Sequence, residues 1–364
     1  SPVNWAKAVD GDFSVATVTG LAAGGTHSLI LANGKVYAAG SDRFGQLGQG
    51  GTNRVNRSSF IQVFAPTSPV VAVSAGGNHS LALTEFGDVY ACGDNTYGQL
   101  GNSELVSSAN WIKVSIQYPS TGLSPKIVSV VAGADHNLAV DEDGGVWVWG
   151  RNNYGQLGKG TRTKAEGTPS ELNLGKINDS DEDVVAESVA AGFSHSLILT
   201  TDGKVFGFGR NNSGQTGQSA TSSMVLVPTL ISGLNEIRLI SAGTDSSFAI
   251  DGAGQLRSWG YNAYGELLLG YASPSSSPAV YGPTPSPIAT NVFNVAGGGY
   301  SSLAVGVQGV IFGGRNDVGQ SGNGPDPDEV VGDYYYGAGD LALTNLTMDL
   351  AGTEPSLYDQ IFLG

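Results

Sequence analysis

The side chains in this 364-residue chain best suited to acid–base, nucleophilic or metal chemistry are four histidines, one cysteine and 32 carboxylates. His27, His79, His136 and His195 each close the same short phrase, AGGTH, AGGNH, AGADH and AGFSH. A histidine that recurs at one place in successive copies serves every copy alike, and copies held one repeat apart cannot converge on a shared metal ion. The expected role is therefore structural, a ring nitrogen bonding a neighbouring turn. With no histidine left over there is no base for a serine or cysteine nucleophile, and a lone cysteine supports neither a zinc site nor a disulfide framework. Cys92 stands in a slot that other copies fill with Ala39, Trp149 and Phe208, so it is expected as a buried apolar group. The carboxylates do not single out a catalytic pair. The chain is accordingly expected to be no enzyme, with no catalytic residues, no cofactor and no metal. A weak calcium site in the acidic run at 178–183 is the minor alternative to a solvated linker.

The histidine phrase opens a longer unit, AGGNHSLALTEFGDVYACGDNTYGQLG at 75–101, with relatives at 23–48, 132–158 and 191–217 and two worn copies at 242–268 and 296–322. Its fifth position falls at His27, His79, His136, His195, Ser246 and Tyr300, in steps of 52, 57, 59, 51 and 54. A period of this length means stacked units, none of which can bury its faces alone. SLALT and DVYAC read as short strands joined by turn residues. A strand such as VVAVS precedes each glycine pair, and another such as ANWIKVS follows the GQLG loop. Four antiparallel strands repeated radially make a β-propeller blade, an all-β design that leaves no long sheet edge open. The glycine pair is expected to let the innermost strand turn tightly at the crowded axis.

The phrase AGGxHSLxLxxxGxVYxxGxNxxGQLG resembles the repeat of the regulator of chromosome condensation family, and the resemblance covers about the whole chain. It implies a seven-bladed propeller. Six copies are visible; LTMDLAGTEPSLYDQIFLG at 346–364 reads as a shortened seventh, completed by SPVNWAKAV at the N-terminus, where Trp5 matches Trp111. The expected organisation is one propeller domain over 1–364, with blades at 13–65, 70–118, 126–177, 184–233, 236–288, 289–345, and 346–364 joined to 1–9. The Pro/Ser-rich insert at 273–287 is expected outside the sheet. Nuclear members of the family are exchange factors for the small GTPase Ran and bind chromatin, which the resemblance carries over as one reading of function.

Net charge is −15. That sign repels phosphate backbones, so nucleic acid is excluded as a partner, and no apolar run is long enough to span a membrane. No N-terminal methionine or signal peptide is in view, as in a processed secreted chain or a cropped one. Asn56, Asn178, Asn211 and Asn345 begin glycosylation sequons, as does the less accessible Asn78. With the Pro/Ser insert they point to an extracellular, glycosylated binding or structural module that engages a protein partner or self-assembles. The alternative is a cytoplasmic, exchange-factor-like signalling propeller. Two surfaces are candidates for contact. One repeat position carries Phe44, Tyr97, Tyr154 and Tyr264, with Arg43, Arg151, Arg210 and Arg315 nearby, as either loop packing or a partner-binding rim. Strand parity sends the hairpin turns and linkers to the other face, where Asp141, Glu142, Asp143, Asp179, Asp181, Glu182 and Asp183 would gather as an acidic surface.

Overall fold

Alternating apolar residues and turn-forming glycines produce short antiparallel strands throughout the computed structural model, which describes residues 17–52, 54–174, 184–219, 222–307 and 309–315. In the first blade the strands are Val18–Ala23, His27–Ala32, Lys35–Gly40 and Arg57–Phe64, hydrogen-bonded in chain order. Four more four-stranded blades follow within 70–113, 127–172, 186–230 and 237–285, and a three-stranded sheet formed by Val292–Gly297, Ser301–Gly306 and Gly309–Gly314 makes the sixth. The described residues thus hold six blades. The expected seventh, from 346–364 and 1–9, lies outside them, as do Asn178, Asn345, Asp179, Asp181, Glu182 and Asp183.

First strands of successive blades pack on one another and form the inner ring. Backbone bonds tie neighbours there, Gly25 N–H to Gly76 O at 3.2 Å, Gly77 N–H to Ala134 O at 2.9 Å and Thr244 N–H to Gly298 O at 3.0 Å. The apolar core lies between blades rather than within them. Leu81, Leu83, Val89 and Leu100 of the second blade meet Ile127, Trp147 and Trp149 of the third. At about 25 cal/mol per Å² of apolar surface, these shared layers are why no blade is stable alone.

Two expectations change. Register places His27, His79, His136, His195 and Ser246 opposite Gly40, Gly93, Gly150, Gly209 and Gly260, and the residue that takes this place in the sixth blade is Ser301, opposite Gly314. The histidine slot there is Ser301 and not Tyr300; the run of three glycines, 297–299, allows the sequence to be aligned one residue out. Nor does the Pro/Ser insert sit outside the sheet. Ala279–Pro285 is the outer strand of the fifth blade, pairing Val280 with Gly260 and Thr284 with Ser258. An edge strand needs ladder donors on one side only, and prolines are tolerated there.

Candidate functional site

Each histidine ring reaches across a seam to the next blade. His27 Nε2 meets Ser80 Oγ at 2.8 Å, His79 Nε2 meets Asn137 Oδ1 at 2.7 Å, and His136 and His195 meet Ser196 and Ser247 Oγ at 2.9 Å. The accepting group passes the bond back to the blade it came from. Ser80 Oγ donates to Gln46 O at 2.6 Å, Asn137 Nδ2 to Gln99 O at 2.8 Å, Ser196 Oγ to Gln156 O at 2.8 Å and Ser247 Oγ to Gln215 O at 2.7 Å. A hydroxyl has one proton, so a serine that donates to a carbonyl must accept from the ring. Nε2 therefore carries the hydrogen, and Nδ1, buried and without a partner among the described residues, is bare. Burial is the chief cause that drives His27 down to about 4, His136 and His195 to about 3, and His79 below its usual value. Each imidazole is neutral, bonded through Nε2 alone, and holds its bare Nδ1 away from solvent, so it takes up no proton at pH 7. The expected structural role of the slot is met by this inter-blade bond.

The same ring explains the first glycine of the AGG phrase. A Cβ at Gly24, Gly76, Gly133 or Gly192 would fall 2.1 to 2.4 Å from the imidazole Cε1. These glycines make room for histidine and are not needed for a left-handed turn, since none has positive φ.

Beyond the third strand, the GxNxxGQLG loop is nucleated by its asparagine. Asn95 Oδ1 accepts from Leu100 N–H at 2.8 Å, and Asn152 and Asn262 do the same for Leu157 and Leu267 at 3.0 Å. The amide ends donate to carbonyls farther along, including Glu104 at 2.8 Å, Thr161 at 3.1 Å and Tyr271 at 2.9 Å. Gln99 and Gln156 lock the turn by accepting the N–H of Tyr97 and Tyr154 at 2.8 and 2.9 Å. In this frame Gly98, at φ 82°, supplies a conformation that a side chain would strain.

On this loop face the expected aromatic and arginine residues do meet, chiefly across seams. Arg151 lies 4.6 Å from the Tyr97 ring, Arg210 5.7 Å from Tyr154 and Arg315 6.0 Å from Tyr264, each arginine coming from the blade after its tyrosine; Arg43 lies 5.6 Å from Phe44 in its own loop. Arg151 is further held by Asp135 at 3.0 Å and Arg210 by Asp245 at 3.5 Å. Half-buried, the tyrosines and their partners form a preordered row. Beyond it, Tyr261, Tyr264 and Tyr300 form a triangle of rings with centroids 5.5 to 6.3 Å apart.

Three of the seven acidic-face residues are among the described residues, and one of them is buried. Asp141 is buried; its Oδ2 accepts from Trp147 Nε1 at 2.9 Å and Tyr118 OH at 3.1 Å, and its Oδ1 from Gly145 N–H at 2.8 Å. It builds a turn and is lost to the surface. Glu142 is exposed but lies 3.6 Å from Lys126, and Asp143 is exposed. Asn211 is buried, its Nδ2 donating to Ser222 O at 2.9 Å, because it is the loop asparagine of the fourth blade. Asn56 is exposed, and its Oδ1 accepts from Asp42 N–H at 3.0 Å. Two residues were missed. Asp245 and Glu266 are carboxylates drawn under the loop face, and the signal for the second was a glutamate where the other loops carry glutamine. Among the described residues no cluster of three or more His, Cys, Asp or Glu could hold a metal ion, and no helix is long and apolar enough to cross a membrane.

A family model described as an RCC1-like domain matches residues 4–282. The chain is 33% identical over 267 residues to the probable E3 ubiquitin-protein ligase HERC6 of Homo sapiens, covering 72% of this chain and 25% of that protein. It is 32% identical over 256 residues to the RCC2 homolog of Danio rerio, covering 64% and 50%. Among solved structures, Prp20p of Saccharomyces cerevisiae, described with its binding properties to Gsp1p and histones, superposes with a TM-score of 0.68 at 26% identity, over 82% of this chain and 69% of that one. The chain spans a quarter to a half of the curated relatives it matches. These relatives overturn the extracellular placement: a histone-binding propeller and an RCC2 homolog point to the cytoplasm or nucleus. With that placement the reading of the sequons and the Pro/Ser insert as glycan sites loses its support.

Proposed function

This chain belongs to the RCC1-like domain family, and on that footing we propose that it is a non-catalytic, protein-binding propeller working inside the cell, with the loop face as its contact surface. The observation that carries this is the row of tyrosine–arginine pairs, Tyr97–Arg151, Tyr154–Arg210 and Tyr264–Arg315, set in place by the seams before any partner arrives. Aromatic and arginine side chains supply most of the affinity in protein interfaces, and preordered ones lose little entropy on binding. A net charge of −15 favours a basic partner by long-range attraction. The binding of Prp20p to Gsp1p and histones supplies two probes. Titration calorimetry of the purified chain with core histones and with Gsp1p should detect binding to at least one. The Tyr97→Ala/Tyr154→Ala double variant should weaken it at least about tenfold, roughly 1.4 kcal/mol, at unchanged fold. Binding to neither, or binding indifferent to the double variant, sinks the proposal.

A second reading, an exchange factor for a small GTPase, is favoured by the Gsp1p binding of Prp20p. Its test is the release of bound fluorescent guanine nucleotide from Gsp1p. No acceleration by the chain eliminates it while leaving binding untouched.

A further inference from the structure

The loops of the first four blades carry Gln46, Gln99, Gln156 and Gln215; the fifth carries Glu266 at the same place. In the four, the amide oxygen accepts the N–H two residues back, at 2.8 to 2.9 Å, and the uncharged amide nitrogen lies under the loop, with no acceptor at Gln99 and Gln156 among the described residues. Gln215 directs that donor at Asp245 Oδ1 of the next blade, and Gln46 aims its own at Thr26 Oγ1, 3.5 Å away in its own blade. Glu266 keeps the first contact, Oε2 accepting from Tyr264 N–H at 2.9 Å. Its remaining oxygen stands in for the amide nitrogen. An ionised carboxylate has no hydrogen to offer there, whereas a protonated one reproduces the donor.

The surroundings favour the proton. Glu266 is 2% exposed, and among the described residues no lysine or arginine forms an ion pair with it. Facing it are Asp245 from the first turn of its own blade, Tyr261 and Tyr264 from the flanks of its loop, and the next blade, where Tyr300 lies 5.5 Å edge-on to Tyr264 and Ser302 Oγ bonds the Glu266 carbonyl. The nearby cations lie elsewhere: Arg210 is on Asp245 at 3.5 Å and Arg315 is over the Tyr264 ring at 6.0 Å. This seam also has no histidine, because the fifth blade carries Ser246 in the slot. It therefore lacks the imidazole bond that fastens each of the four preceding seams.

We propose that Glu266 is a proton-binding site that governs the seam between the fifth and sixth blades. Protonated, it completes the glutamine pattern and keeps the Tyr261–Tyr264–Tyr300 patch closed; ionised, it places an uncompensated charge beneath that patch and loosens it. The inference concerns the loop's own chemistry and holds whatever partner the face binds.

Burial chiefly, with repulsion from Asp245, pushes the carboxyl up from 4.5 to about 7, while backbone N–H groups pull the other way. The folded state therefore holds this proton more tightly than the unfolded chain. The stabilisation is complete below pH 4.5 and is lost as pH rises to about 7. The test compares folding equilibria of the wild type and Glu266→Gln from pH 4.5 to 8. All other titrating groups are common to both, so their difference reports this site. The wild type should lose roughly 150-fold relative to the variant across that range, close to tenfold for each pH step between the two pKa values. A difference that does not vary with pH overturns the proposal. If the variant fails to fold, carboxyl ¹³C resonances of the wild type decide. Glu266 should titrate near neutrality with the Tyr264 and Tyr300 ring signals following it, and titration below about pH 5.5 would overturn the proposal.

Discussion

Ser196 holds two polar groups of two blades, donating to Gln156 O at 2.8 Å and accepting from His136 Nε2 at 2.9 Å. Both groups are buried, so Ser196→Ala removes no bulk yet strands a carbonyl and a ring N–H. Each orphaned group costs about 1–3 kcal/mol, and a loss of about 2–6 kcal/mol is expected, read as a lower denaturant midpoint with the m-value unchanged. Asn137 holds the equivalent position in the seam before it. Asn137→Ser installs the group the other seams use and should cost clearly less than Asn137→Ala. Equal costs for the two would show that the hydroxyl bridge is not what the seam requires. Cys92 belongs to the same layer, its Sγ 3.5 Å from Gln46 O, where Trp149 and Trp259 place their Nε1 3.0 Å from Gln99 O and Gln215 O. Buried and away from any charged partner that would ionise it, the thiol is pushed well above its usual pKa, as the apolar reading of its slot requires.

At the scale of the element, the loop after the third strand is an irregular stretch made rigid by side-chain to backbone bonds. Asn152→Ala would free Leu157 N–H and Thr161 O, now bonded at 3.0 and 3.1 Å. The expected cost is about 2 kcal/mol, with faster hydrogen exchange at Leu157 and in the Tyr154 turn while the strand amides stay protected. Loss of protection across the whole blade would instead mean that the loop cannot open separately. The repeat and the strand pairing were legible from sequence because each is written locally, in the alternation of SLALT and DVYAC and in the turn glycines. Contacts between blades were not. His136 and Ser196 are sixty positions apart, and nothing in either phrase shows that one meets the other. Asp141 misled for a related reason: it sits in the acidic phrase DEDGG and reads as surface charge, while the Trp147 indole that claims it is indistinguishable by sequence from any core tryptophan. The aromatic and arginine positions were legible in the repeat, but that Arg151, Arg210 and Arg315 lie over the tyrosine of the preceding blade required the ring.

For the whole molecule, the inner seams share one chemical vulnerability, and it is to acid. Four imidazoles lie neutral in successive seams, held down to about 4 at His27 and about 3 at His136 and His195, with His79 lowered as well. In the unfolded chain each returns to 6.5. Between those values the unfolded state binds protons that the folded state refuses, so the stability each provides is intact above pH 6.5 and drains as pH falls toward 4 or 3. One such group loses about 1.4 kcal/mol per pH unit, so His27, His136 and His195 together lose roughly 4 kcal/mol by pH 5.5, with His79 adding to the loss in the same direction, a large share of the entire stability of many domains. Glu266 works against this, since its folded-state proton is stabilising as pH falls from about 7 to 4.5, but it is one group against four. Denaturant midpoints at pH 7.5, 6.5, 5.5 and 5.0 should therefore fall steeply below pH 6.5, with a net uptake of protons on unfolding. His136→Gln, whose amide can donate to Ser196 as the imidazole does, should lower that uptake by one. Stability unchanged between pH 7 and 5 would mean that the four rings are not the neutral inter-blade donors that their hydrogen bonds require.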